Sequence, residues 1–150
     1  MAQVYVSSTR TDLGEHRRLV IEVLTRMGHT HVAMEHYVAE GRPPIEKCLE
    51  DVAACDIYVG IVAFRYGSVP PGYDRSFTEL EFDRAVETGK KPLVFVLAES
   101  APEWPPMLFE FGAIQRVLDF RRKVADAGIV EFFSTKDELR AQLGDRKSVV

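Results

Sequence analysis

The chain has 150 residues, 46% of them hydrophobic and 28% charged, which fits one domain with its own core and leaves little room for two. A formal net charge of −4 is too weak and of the wrong sign for a nucleic-acid binder driven by phosphate contacts. Two cysteines are too few for a disulfide scaffold, and neither a charged leader nor an apolar run of membrane-spanning length occurs, so the expected compartment is cytoplasmic, with no membrane partner.

Val4-Tyr5-Val6 is a short β-branched and aromatic run, read as a buried strand, and the polar loop Ser7 to Thr11 follows it. Asp12 with Glu15 reads as a capping box for a first helix, along which Leu13, Val20, Leu24 and Met27 recur at helical spacing until Gly28 stops it. His31 to Met34 makes a second strand. A polar loop with Gly41, Arg42, Pro43 and Pro44 leads to a second helix with the apolar stripe Ile45, Cys48, Leu49 and Val52. Cys48 and Cys55, seven residues apart, would sit about two turns from each other on a helix, too far for a disulfide, and read as reduced core thiols.

Asp56 to Phe64 is the strongest strand signal, apolar on both faces as a central parallel strand should be. The loop Arg65 to Arg75 carries Gly67, Pro70, Pro71 and Gly72. A third helix runs from Ser76 to Gly89, Leu93 to Leu97 is a fourth strand, and a long helix is expected over Met107 to Ala125. Ile129 to Phe133 is a fifth strand, and Thr135 with Glu138 caps a last short helix. The basic clusters Lys90-Lys91 and Arg121-Arg122-Lys123 read as solvated surface. Residues 1–143 form the expected domain, with 144–150 a tail or the start of a linker to a longer chain.

Five alternations of strand and helix argue for a parallel sheet covered on both faces, and five strands favour the flavodoxin-like order 2-1-3-4-5. Ligands of such sheets bind where the chain reverses direction, beyond the carboxyl ends of the strands. Here the reversal falls between strands 1 and 3, so the loops Ser7–Thr11 and Arg65–Arg75 and the start of the third helix should hold any site.

On that helix, Phe77, Thr78, Phe82, Ala85 and Val86 share an apolar half, and Glu79, Asp83 and Glu87 lie opposite, where water would solvate them. Glu81 falls on the apolar half. A carboxylate there is desolvated and needs a purpose or a partner; Arg10, Arg65 and Arg75 are the cations within reach. Glu79 forms a capping box with Ser76. Arg65 could grip a phosphate, Tyr66 could stack on a ring, and Ser7, Ser8 and Thr9 offer hydroxyls on the other wall. His29, His31, Glu35 and His36 lack the fixed spacing of a metal site, and no phosphate-binding glycine loop, nucleophile elbow or zinc cysteine pair occurs; no metal or resident cofactor is expected.

Val6-Ser7-Ser8-Thr9, Asp12-Leu13, Asp56 to Gly60, Arg65-Tyr66-Gly67-Ser68 and Ser76 to Glu81 together resemble a TIR-like domain family of unknown function, commonly N-terminal to NACHT- or STAND-type ATPase modules. The stretch from Cys55-Asp56 through Ser76, Thr78, Glu81 and Ala85 to Gly89-Lys90-Lys91-Pro92 is similar to the core of nucleoside 2-deoxyribosyltransferases, which implies a nucleophile at Glu81. TIR domains carry a catalytic Glu on the corresponding helix and cleave NAD. They differ in having an acidic residue where Gln3 and Val4 stand and, in many, a Trp-Cys motif in place of Phe77-Thr78-Glu79. The resemblance implies a TIR-like effector or signalling domain, with defence as its setting, that cleaves the nicotinamide–ribose bond of NAD with Glu81 at the ribose. Ser7, Ser8, Thr9, Arg65, Tyr66, Ser76 and Thr78 would line the substrate, and Asp74 would supply the proton that a nucleoside substrate needs. It implies homotypic assembly through His36–Pro44; a non-catalytic self-association domain and nucleoside base exchange are the alternatives.

Overall fold

The computed structural model describes residues 2–32, 44–101 and 104–145. Five strands, β1 (Gln3–Ser7), β2 (Thr30–Val32), β3 (Ile57–Val62), β4 (Leu93–Leu97) and β5 (Ile129–Phe133), form one sheet in the order β2-β1-β3-β4-β5, and every pairing is parallel. Parallel neighbours require crossovers, supplied here by α1 (Arg10–Arg26), α2 (Ile45–Ala54), α3 (Phe77–Glu87) and α4 (Ile114–Ala127), with α5 (Lys136–Gly144) closing the chain. α1 packs with α5 over one face, while α2, α3 and α4 follow one another over the other. This is the doubly wound, flavodoxin-like sandwich that the alternation predicts. β3 and β4, covered on both sides, are apolar almost throughout, as central parallel strands must be.

The predicted β4 and β5 match the structure residue for residue, whereas β3 is shorter than predicted, with Asp56, Ala63 and Phe64 outside it. β2 ends at Val32; the remainder of the predicted second strand and most of the following loop, 33–43, lie outside the described residues. The predicted long helix from Met107 is corrected. Two tight 3-10 turns, Pro106–Leu108 and Phe111–Ala113, come first, and α4 begins only at Ile114. The extended backbone at Phe109 and the non-helical backbone at Glu110 break the helical run.

Helix starts carry further corrections. α1 begins at Arg10 after Thr9, so Asp12 lies inside its first turn and accepts a hydrogen bond from the Thr9 hydroxyl, with no capping box to Glu15. Ser76 and Thr135 do cap their helices, each accepting from the backbone N–H three residues on. The Glu79 side chain does not return to Ser76. The Tyr66 hydroxyl takes that place, accepting from the Ser76 N–H at 3.1 Å and donating to Glu79.

Two surface expectations also fail. Glu79 and Asp83 are not solvated: their side chains are 14% exposed and both pair with Lys123 of α4, at 2.8 and 2.6 Å. Helical periodicity identifies a face, not the neighbour that later covers it. Arg121 is buried and donates to the carbonyls of Ala63 and Leu97 at 2.9 and 2.7 Å, tying the ends of β3 and β4 together. Val86, placed on the apolar half, is exposed.

Candidate active site

Alternation along β1 sends Tyr5 and Ser7 to the same face of the sheet, the one that α3 covers. Glu81 meets them there. The Tyr5 hydroxyl donates to Oε2 at 2.7 Å and the Ser7 hydroxyl to Oε1 at 2.6 Å, joining residues 76 and 74 positions apart. The residue is 2% exposed. Burial raises the Glu81 pKa, while the Ser7 and Tyr5 hydroxyls and the Arg17 charge pull it back down. Burial also drives the Tyr5 hydroxyl up, reinforced by the charge of Glu81, so Tyr5 stays a donor. The Cys48 thiol is buried near the same carboxylate and is pushed up to about 12, by burial first and by Glu81 second. The partners of Glu81 are thus two hydroxyls and the Cys48 thiol, and the cation acting most strongly on it is Arg17, not Arg10, Arg65 or Arg75. Arg17, 1% exposed, donates to the Ser8 hydroxyl at 2.9 Å and fixes the end of β1 from the other face.

Immediately outward, a cavity of about 340 Å³ opens between the loop after β1 and the loop after β3. Ser8, Thr9, Arg10 and Thr11 form one wall, Arg65, Gly67 and Ser68 the other, Phe77 and Thr78 the floor from α3, and Glu110 the far side. Arg10 and Thr11 of the first turn of α1 line this space, and Arg10 and Arg65 set two positive charges there against the one carboxylate of Glu110, a setting in which phosphates can bind. Gly67 has φ +92, and a Cβ there would meet Thr9 Cγ2 at 3.2 Å, so the two walls approach as closely as glycine permits. Glu81 does not line this cavity; it lies about one turn along α3 from Thr78, which does.

The structure therefore brings Ser8, Thr9, Arg65 and Thr78 to one cavity and leaves Ser7 and Glu81 buried outside its lining. It separates the other expected residues. Tyr66 is 2% exposed, its ring covered by the Arg116 guanidinium at 4.4 Å, so it does not present a free face for stacking. Ser76 is fully buried in its capping role. Asp74 is 90% exposed in a separate depression with Tyr66, Glu79 and Arg116. Glu110, absent from the sequence reading, accepts from the backbone N–H groups of Tyr66 and Gly67 at 2.8 and 3.1 Å and holds the second wall in place. Among the described residues no group of three or more His, Cys, Asp or Glu could hold a metal, and no helix is long and apolar enough to cross a membrane. Residues 36–43 of the expected assembly loop lie outside the described residues.

A family model described as a domain of unknown function, DUF4062, matches residues 3–147, nearly the whole length. The chain belongs to the DUF4062 family. No curated protein matches it significantly. Among solved structures, this DUF4062 domain is similar to the CMP N-glycosidase BcmB of Clostridium botulinum, with 13% identity, a TM-score of 0.56 and coverage of 94% of this chain and 96% of that one. It is also similar to a putative quinone reductase of Klebsiella pneumoniae, with 12% identity, a TM-score of 0.54 and coverage of 99% and 85%. At such identities the likeness is one of fold.

Proposed function

We propose that this DUF4062 domain cleaves the N-glycosidic bond of a phosphate-bearing nucleotide, with NAD the substrate that its site suits best. The carrying observation is Glu81, a carboxylate buried at the end of β1 and held by two hydroxyls, on the same strand end and helix that supply Ser8 and Thr78 to the cavity with Arg10 and Arg65. Phosphate would sit at the first turn of α1 with Arg10 and Arg65, and the ribose would face α3. It would reach Glu81 past Thr78, whose side chain has to turn aside when substrate enters.

Cleavage of a nicotinamide–ribose bond releases a neutral base from a cationic one, so the leaving group needs no proton. An ionised Glu81 would stabilise the oxocarbenium-like centre, water would add at C1′, and the water proton would pass to solvent, giving nicotinamide and ADP-ribose. Glu110 accepts two backbone N–H bonds from the loop after β3, so its carboxylate is already engaged in holding that wall. A neutral-base nucleotide such as CMP, the substrate in the name of the Clostridium relative, would require a proton donor to the leaving base, a need that NAD does not have.

Assembly of several copies, as in TIR domains, is the second reading. It is favoured by the exposed Met107 and Phe111, at 82% and 63%, beside the stacked rings of Phe64 and Phe109. Concentrated domain incubated with NAD, and in parallel with CMP, should release nicotinamide from the first and no cytosine from the second. Absence of base release from either, at all concentrations tested, refutes the enzymatic reading and leaves assembly.

A further inference from the structure

A larger cavity, about 600 Å³, lies on the other side of the start of α1, bounded by the connection after β4 and the start of α5. It shares Arg10 and Thr11 with the first cavity, so the amino end of α1 separates two adjoining compartments. Three of its lining residues carry buried polar atoms with no partner among the described residues: Asp12 Oδ2, His16 Nδ1 and Trp104 Nε1. Asp12 and His16 are 7% and 8% exposed, and the His16 ring rests against Trp104 and Phe133, each with centroids 5.7 Å away. Buried polar atoms left unpaired cost stability, and three among the residues of one cavity form a pattern that a ligand can complete.

The pattern has a definite complement. Asp12 Oδ2 lacks a donor and the Trp104 indole N–H lacks an acceptor, so a ligand that answers both offers an N–H and an acceptor, as an amino-substituted base does. Trp104 and Leu108 offer apolar surface to a planar ring, and Arg10 marks the direction of a phosphate. We propose that this second cavity receives the amino-substituted base of the non-reacting half of a dinucleotide, adenine in the case of NAD, with the diphosphate crossing the start of α1 at Arg10 and Thr11. The inference rests on the nucleotide reading of the first cavity, but its test reads binding and requires no cleavage.

Trp104 is the sole tryptophan of the chain, so its fluorescence reports on this cavity alone. AMP titrated into the full chain should change that fluorescence saturably and shield Trp104 from acrylamide quenching. By calorimetry, Trp104→Phe, which keeps a ring and removes the N–H, and Asp12→Ala should each weaken AMP binding about tenfold. Trp104→Phe, at a residue that does not line the first cavity, should leave nicotinamide mononucleotide binding within about twofold of the parent. If Asp12→Ala fails to fold, Trp104→Phe and the acrylamide measurement decide. Absence of saturable AMP binding, or unchanged AMP affinity in Trp104→Phe, overturns the proposal and leaves the three atoms to water. AMP binding without NAD cleavage would remove the enzymatic reading and keep this one; NAD cleavage with AMP affinity unchanged by the variants would do the reverse.

Discussion

Replacing Glu81 by Gln and by Leu separates its chemical role from its structural one. Gln keeps the size and hydrogen-bonding capacity of the carboxyl, and the Tyr5 and Ser7 hydroxyls can each donate to it or accept from it. Leu removes the carboxyl acceptor of both buried hydroxyls and leaves them only weaker neighbours, the Cys48 thiol for Tyr5 and the Tyr58 hydroxyl for Ser7. At about 1–3 kcal/mol for each hydroxyl that loses this acceptor, Glu81→Leu should be less stable than Glu81→Gln by about 2–6 kcal/mol. Both variants are uncharged at this position, so the desolvation of a carboxylate cancels from the comparison. In a domain of this length each kcal/mol moves the melting temperature by about 2–4 °C, which places the Leu variant roughly 5 to 20 °C below the Gln variant. Glu81→Gln should fold as the parent does and lose nicotinamide release by about 10²–10³-fold, the usual cost of removing one preorganised electrostatic group. Urea unfolding at pH 7 and a nicotinamide assay on the same preparations give both numbers. A Gln variant that still cleaves NAD at the parent's rate refutes the catalytic assignment, and equal stability of the two variants refutes the hydrogen-bonded anchorage.

Burial raises the Glu81 pKa in the folded state, so the proton is held more tightly in the native chain than in the unfolded one. The parent's stability relative to Glu81→Gln should be greatest below the unfolded pKa, fall as pH rises through the raised folded value, and then level off; urea midpoints of the two from pH 4 to 8 check this, and parallel curves contradict it. Burial lifts Cys48 to about 12 and raises Cys55 as well, so neither thiol should react with a disulfide reagent at pH 8 until urea unfolds the chain. Arg121→Met should cost about 2–4 kcal/mol in urea unfolding, because it strands the Ala63 and Leu97 carbonyls. Arg65→Met should raise KM for NAD about tenfold with kcat little changed, if its guanidinium contributes uniform binding to the phosphates.

The sheet and its order were legible because each strand is a compact apolar run between turn residues, and alternation with helices admits few topologies. Glu81 was legible for a related reason: one acidic residue on the apolar half of a helix is a local anomaly that a helical wheel exposes. Its partners were not. Tyr5 looks like any strand aromatic, and Arg17 like any helix cation, until the fold carries them across to α3 and to the end of β1. Glu110 sits among Phe109, Phe111 and Gly112, a context that reads as helix, and nothing local indicates that its carboxylate will accept from the loop after β3. Tyr66 was read as a pocket residue because it follows the central strand directly; packing turned its ring under Arg116 instead. Trp104 offers no periodic signal, and its cavity arises only where three connections converge.

The hydroxyl of Tyr66 binds two parts of the molecule that sequence keeps apart. Its own backbone N–H is held by Glu110 at the rim of the first cavity, and its phenol oxygen finishes the opening turn of α3. Gly67, its neighbour, has no side chain to cushion whatever enters that rim. A guest pressing on this loop would therefore be felt, through a single rigid ring, at the helix that carries Glu81. In a Tyr66→Phe chain that lever is cut, and occupancy of the rim should no longer alter hydrogen exchange at the first amides of α3.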